Sequence, residues 1–445
     1  MRAPFRFGAI NRQILRLAIP NILSNLSVPM LSAVDTALVG RLDGDYFLGA
    51  VAVGSTLFSF IYWGFGFLRM GTTGMVAQFY GKKDHPLVIL TLARAILLGL
   101  VSAFLLMMLQ SPIADLSFIL IDASPEVERY ARSYFQIRIF AAPATLTLLA
   151  FHGWFLGIQN ARFPLYLSVF VNLINIVFSI LFVRILHLNS DGVAYGTVIA
   201  QYLGVGMAIF LFHKHYRHYL GKISRRAIWQ LQALKRFLFI NSDIFIRTLC
   251  LVFVYAFFTA KSAEFGDDIL AVNSILMQLL MVVSYGIDGF AFSAESLIGK
   301  FIGSKNVSHL RAVIRNCFIW SMGIGVAISV IYFAFFQQLL FIFTDKVEWI
   351  NLANDYLIWV VIAPLINGFA FIWDGIFIGA TDGKTLRNTM LFCTFAIFLP
   401  TFWLTKSALL NHSLWLAMTV FMLFRGITLW IYAHRRQTGW ITKTP

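Results

Sequence analysis

Apolar positions fall along this chain in long blocks, broken at intervals by short polar stretches. A spanning helix needs about 20 mostly apolar residues. Twelve runs of that kind stand out, at about 14–39, 46–78, 88–110, 130–158, 163–186, 192–213, 236–260, 269–300, 310–336, 350–379, 386–406 and 412–434. They are too long for barrel strands, and a backbone in lipid must satisfy its own hydrogen bonds, so each run predicts a helix.

The pattern also repeats at a distance of 222 residues. Gly153-Trp-Phe-Leu-Gly157 returns as Gly375-Ile-Phe-Ile-Gly379, Gly64 as Gly286, Gly81-Lys82-Lys83 as Gly303-Ser304-Lys305, and Gly204 as Gly426. One offset holds from about Leu48 to the C-terminus. The expected fold is therefore an all-α integral membrane protein of two six-helix lobes, residues 1–213 and 236–445, joined by a cytoplasmic linker at 214–235. Parallel repeats put a substrate site where the halves meet and allow alternating access by rocking, so transport is the expected class of function.

Composition agrees: 59% of residues are hydrophobic and 12% charged, which excludes a soluble domain of this length. Charge then orients the spans. Arg2, Arg6, Arg12 and Arg16 stand at the start, and the even-numbered loops carry Lys82 and Lys83, Arg162, the stretch from Lys214 to Arg236, Lys300 and Lys305, and Lys384 and Arg387. Arg435, Arg436 and Lys443 follow the last span. The odd-numbered loops are acidic, with Asp43 and Asp45, Asp115 to Glu128, Asp191, Glu264 to Asp268, and Asp345 with Glu348. Basic loops stay inside, so both termini are expected in the cytoplasm. The net charge of +15 is then inner-face charge beside anionic lipid, and no nucleic-acid partner is expected. The first run is read as a retained span, because no cleavable secretory signal precedes it. Cys250, Cys317 and Cys393 all fall in apolar runs and read as buried free thiols. The linker's His213, His215 and His218 have no carboxylate or Cys beside them, so no metal is expected. Ser124-Pro125 ahead of Glu126 predicts the cap of the fourth helix.

Charges at bilayer depth cost several kcal/mol and mark candidate sites. Of the 20 acidic residues, Asp35, Asp243, Asp288, Glu295 and Asp374 fall inside runs. Asp35 is the foremost candidate. It lies in the outer half of helix 1, which also holds Pro20 and Pro29. Each proline frees a carbonyl four residues earlier, at Arg16 and Asn25, so this helix has a built-in bending point. Burial disfavours a charged carboxylate, so a titratable acid on a bendable helix suits proton coupling. On helix 5, Asn172, Asn175 and Ser179 share one face, and Thr197 on helix 6 is placed to join them. The repeat sets Phe257 opposite Asp35 and Thr394 opposite Asn172, so the polar cluster belongs to the N-terminal half. Asp374, whose repeat mate is His152, and Asp288 are candidates for a C-lobe substrate or cation site.

At these residues the chain resembles the multidrug and toxic compound extrusion (MATE) family, in its DinF-like branch. The resemblance covers almost the whole chain. It rests on Pro20, Val34-Asp35-Thr36-Ala-Leu-Val-Gly40, the helix 2 run to Gly81-Lys82-Lys83, Asn175-Ile176-Val177 and Asp374-Gly375. It implies two lobes around a V-shaped cavity and export of cationic or amphipathic compounds against inward proton or sodium flow. It implies that Asp35 carries the coupling proton, that helix 1 bends at Pro20, and that Asn175 and Thr197 belong to the same network. Some relatives carry a second acid where this chain has Ser179, which leaves Asp35 as the sole acid of that cluster.

The expected function is a proton-driven antiporter for small organic cations or amphipathic drugs, acting as a monomer in a bacterial cytoplasmic membrane. Its only cofactor is the coupling ion. Aromatic and Met side chains suit a permissive cavity. The alternatives are a sodium-coupled exporter with its cation in the C-lobe, or a flippase for lipid-linked precursors. An intramembrane transferase would need clustered acids, and no D-D-x-x-D pattern occurs, so an enzyme is not expected.

Overall fold

The computed structural model describes residues 7–42, 44–120, 124–220 and 225–442. Arg2, Arg6, Asp43, Lys443 and linker residues 221–224 lie outside the described residues. The described regular elements are helical throughout. Twelve are long and apolar enough to cross a membrane: α1 (Gly8–Val39), α2 (Asp45–Gly81), α3 (His85–Met108), α4 (Pro125–Gly157), α5 (Arg162–Ile185), α6 (Asn189–Leu220), α7 (Leu231–Glu264), α8 (Asp267–Gly303), α9 (Val307–Leu340), α10 (Leu357–Gly379), α11 (Gly383–Leu409) and α12 (His412–Arg435).

Three details depart from the hydropathy pattern. A break at Phe65 and Gly66 divides α2 into Asp45–Gly64 and Phe67–Gly81. A further helix, Gln110–Leu120, follows α3 in what reads as a loop. The run at 350–379 is two elements, Val347–Asn354 and α10, because apolar residues on both sides of Asp355 carry the pattern across the joint. In addition, α5 and α11 each contain a π-helical stretch, at Leu181–Ile185 and Cys393–Phe398. The three cysteines are free and buried.

The repeat reaches down to the backbone. After α2 the chain turns through Lys83 with φ 61°, and after α8 through Lys305 with φ 54°. After α4 it turns through Gln159 with φ 69°, and after α10 through Thr381 with φ 54°. In all four turns the next residue's N–H reaches back to a carbonyl of the finished helix: Asp84 to Phe79 at 3.0 Å, Asn160 to Phe155 at 2.8 Å, Asn306 to Phe301 at 2.9 Å and Asp382 to Phe377 at 3.0 Å. That bond is the mark of a Schellman stop. The side chain of the same residue then caps the next helix, Asp84 accepting from Leu87 N at 3.2 Å and Asn306 from His309 N at 3.1 Å. Asn160 accepts from Phe163 N at 3.3 Å and Asp382 from Thr385 N at 3.3 Å. Each of these residues thus ends one span and starts the next. Ser124 caps α4 as expected, its hydroxyl accepting from Val127 N.

The two G-x-x-x-G pairs serve like contacts. A Cβ on Gly153 would press on the Arg69 carbonyl and one on Gly157 on the Thr73 carbonyl. A Cβ on Gly375 or Gly379 would meet the carbonyls of Ala291 or Glu295, the repeat mates of Arg69 and Thr73. Small residues let backbones approach closely where lipid gives no hydrophobic drive.

Packing divides the chain into two units. One runs from Leu23 to Leu238; the other takes the residues up to Ile22 together with those from Phe239 on. The second boundary falls just beyond the 214–235 linker. The first falls inside α1, two residues after Pro20, where the repeat predicts no boundary. In the first unit Phe58, Tyr134 and Phe135 anchor a core beside Val39 and Val193. In the second, Trp415, Phe258 and Phe398 do so beside Leu276 and Val360.

Candidate functional site

Helix α1 stays helical through both Pro20 and Pro29. Beside Pro20 the Asn21 side chain donates to the Leu17 carbonyl at 2.8 Å, adding a bond at a point where the backbone ladder is thinned. Before Pro20, α1 is tied to the second unit: Ser293 Oγ donates to the Ile14 carbonyl at 3.2 Å, and Trp320 Nε1 donates to Asn11 Oδ1 at 3.2 Å. After Pro20 its bonds are to α5. Ser24 and Ser168 share a hydrogen bond of 2.7 Å, and Asn172 Nδ2 donates to both the carbonyl and the hydroxyl of Ser27, each at 3.1 Å. Pro20 is therefore the point at which α1 changes partners.

Asp35 lies toward the C-terminal end of the same helix, half-buried. Its Oδ1 is buried without a hydrogen-bond partner. The structure does join Asn175, Ser179 and Thr197: Asn175 Nδ2 donates to Thr197 Oγ1 at 2.9 Å, and Ser179 Oγ donates to Asn175 Oδ1 at 3.3 Å. Thr197 in turn donates to the Val193 carbonyl at 2.9 Å. Gly196 permits this, since a Cβ there would strike Ser179. The cluster is buried. Asn172 does not join it but turns to Ser27, and no described hydrogen bond links Asp35 to any of the four.

The charged group that acts on Asp35 is Arg138, in the first half of α4. Its guanidinium lies over Phe58 and Tyr134, at 5.0 and 5.5 Å from the ring centroids, and donates to Tyr134 Oη at 2.5 Å. In the sequence Arg138 is a base inside the apolar run 130–158, and its spacing does not show that Asp35 lies near it.

The second unit holds a different arrangement. Both oxygens of Asp374 are engaged: Arg425 Nε donates to Oδ1 at 3.1 Å, and the Nη2 atoms of Arg247 and Arg425 both bond Oδ2. Arg425 is 0% exposed, Asp374 4% and Arg247 6%, so this is a fully desolvated triad. Two guanidinium groups thus occupy the positions that a cation at Asp374 would take. Asp288, half-buried, lies near enough to act on Arg247 and balances the second arginine charge. Asp243 pairs with Arg387 at 2.6 Å, and Glu295 is 1% exposed. A small cleft nearby is lined by Tyr255, Met277, Trp359, Asn367, Met418 and Met422. Arg425 Nη1 donates to the Met422 sulfur at 3.5 Å along its edge. Among the described residues no three His, Cys, Asp or Glu side chains converge in a way that would hold a metal.

The MatE family profile matches residues 20–181 and 244–404. The DNA damage-inducible protein F of Escherichia coli strain K12 is 38% identical over 441 residues, covering 98% of this chain and 95% of that protein. A multidrug resistance MATE family transporter of the MOP superfamily, solved in an outward-facing conformation, aligns with a TM-score of 0.85 at 17% identity over 98% of this chain and 97% of its own. The Vibrio cholerae MATE transporter VcmN in its bent form aligns with a TM-score of 0.84 at 18% identity over 98% of both chains.

Proposed function

The chain belongs to the MatE family, and from that premise we propose that it is a proton-driven antiporter exporting cationic or amphipathic drugs by alternating access. Asp35 carries the coupling proton, and α1 bends at Pro20 when the proton arrives or leaves. The observation that carries this reading is the buried Asp35 oxygen with no hydrogen-bond partner, on a helix that changes packing partners beside a proline. An unpaired polar atom at that depth is costly unless its protonation or pairing changes during function. Substrate and proton must favour opposite states of Asp35 for exchange to be coupled. Asn175, Ser179 and Thr197 form the polar wall whose hydrogen bonds respond. The C-lobe triad speaks against a sodium site at Asp374, because a cation there displaces two guanidinium groups.

The loop charges support an orientation with both termini and the 214–235 linker in the cytoplasm of a bacterial inner membrane, and the protein acts as a monomer. The Met and aromatic side chains of the C-lobe cleft give a surface that adapts to varied apolar cations. The test is uptake of ethidium into inside-out vesicles, with proton and sodium gradients imposed separately. Uptake driven by the proton gradient alone and lost in Asp35→Asn is expected. Uptake driven by sodium alone, or a fully active Asp35→Asn, ends this reading.

A further inference from the structure

Two oppositely charged groups in the Leu23–Leu238 unit each bury an unsatisfied atom: Oδ1 of Asp35 and Nε of Arg138. Among the described residues Arg138 is the charged group that acts on Asp35, yet the two form no ion pair. The guanidinium is held off by its aromatic bed, Phe58 and Tyr134, and by its bond to the Tyr134 hydroxyl. The Tyr62 phenol lies near enough to feel Arg138, with Tyr134 and Tyr202 close to that phenol, and none of the three brings a second charge. Tyr202 is itself engaged with the Phe140 carbonyl at 3.1 Å.

We infer that Arg138 is the counter-ion of the Asp35 carboxylate in the deprotonated part of the transport cycle, a positioning residue that sets when the proton is released. The inference rests on the reading of Asp35 as the proton carrier. With Asp35 protonated, the pair has no charge to form an ion pair, and the two atoms stay apart as observed. When the carboxyl gives its proton to water, Arg138 is the cation placed to receive the resulting anion. Closing the gap satisfies both orphaned atoms at once and pulls the outer part of α1 toward α4. The guanidinium keeps its charge throughout, since arginine does not deprotonate in proteins. Only the carboxyl proton moves.

The experiment is ethidium–proton exchange in proteoliposomes of the purified full chain across a range of pH, for wild type, Arg138→Gln, Arg138→Lys and Asp35→Asn. Removing the cation leaves the carboxylate without its partner, so Asp35 keeps its proton to higher pH. The pH of half-maximal exchange in Arg138→Gln should move alkaline by about 1 unit or more, the size expected for one close opposite charge. Arg138→Lys, which keeps the charge, should retain most of the wild-type profile. A structural role alone would lower the rate without moving the midpoint. A wild-type profile in Arg138→Gln overturns the inference while leaving Asp35 as carrier. An active Asp35→Asn overturns the underlying reading instead. Should Arg138→Gln fail to fold, the double variant with Asp35→Asn removes both charges and is expected to restore folding; its failure to do so also overturns the inference.

Discussion

Asp374 has both carboxylate oxygens bonded by two buried arginines, while Asp35 has one oxygen buried with no bond at all. Both lie within the spans, where a charge is costly, Asp374 fully buried and Asp35 half-buried. What differs is the pairing. A fully paired triad is held in place, since separating its members exposes charges that have nowhere else to go. An unpaired acid is free to exchange its proton and its partners. On the reading proposed here, the contrast gives the second unit's acid a structural part and the first unit's acid the chemistry. It also follows the repeat, since Asp374 has His152 as its mate and Asp35 has Phe257.

The contrast can be broken most sharply at Asp35. Asp35→Asn should bring gradient-driven export to the level of protein-free vesicles. Thermal stability in detergent should stay within about 1 kcal/mol of wild type, the scale of one hydrogen bond. A large stability loss with residual export would invert the assignment. Next in size is Asp374→Asn, which leaves Arg247 and Arg425 buried without the carboxylate that both bond. A loss of about 3–5 kcal/mol is the usual cost of breaking such a pair, read as a fall in melting temperature or in folded yield. Replacing all three members with Met and Leu should recover most of that stability. An Asp374→Asn protein that is stable but unable to export would restore a site in the second unit.

Pro20→Ala comes third. It returns an N–H to the ladder at Arg16 and stiffens α1, so export should fall several-fold while ethidium still binds, as measured by fluorescence quenching. Unchanged export would mean that α1 need not bend there. The smallest effect belongs to Thr197→Val, which removes the acceptor for Asn175 and costs about 1 kcal/mol. A modest slowing of exchange is expected, and complete loss would promote Thr197 from supporting wall to essential group.

Much of the fold was legible because lipid leaves few choices: long apolar runs must be helices. Glycines carried the repeat because small residues at helix contacts resist replacement by anything with a Cβ. The four matching turns were half visible. Their capping residues Asp84, Asn160, Asn306 and Asp382 are ordinary cap types, but the left-handed positions hold Lys83, Gln159, Lys305 and Thr381 where glycine is the usual signal. The cluster of Asn175, Ser179 and Thr197 followed from helical spacing. Asn172 misled because spacing gives the face of α5 and not the neighbour that meets it; Ser27 on α1 competes for that amide and wins. Arg138, Arg247 and Arg425 were missed because a buried base is as informative as a buried acid, and only the acids were sought. Nor can a 222-residue repeat reveal that α1 is divided, since its first part precedes the matched region.

That division gives α1 an awkward place in the order of biosynthesis. The Leu23–Leu238 unit is continuous and has all its residues as soon as it has been made. The segment before it does not: Ile14 and Asn11 find their partners in Ser293 and Trp320, 279 and 309 residues later in the chain. At about 5–20 residues per second, that is a wait of roughly 15–60 s for a ribosome to supply them. Through that interval α1 has one end packed and the other still without its partners. In the orientation proposed above, Arg12 and Arg16 then matter before the protein is complete, because they would hold the waiting end at the inner surface until the second half arrives to receive it.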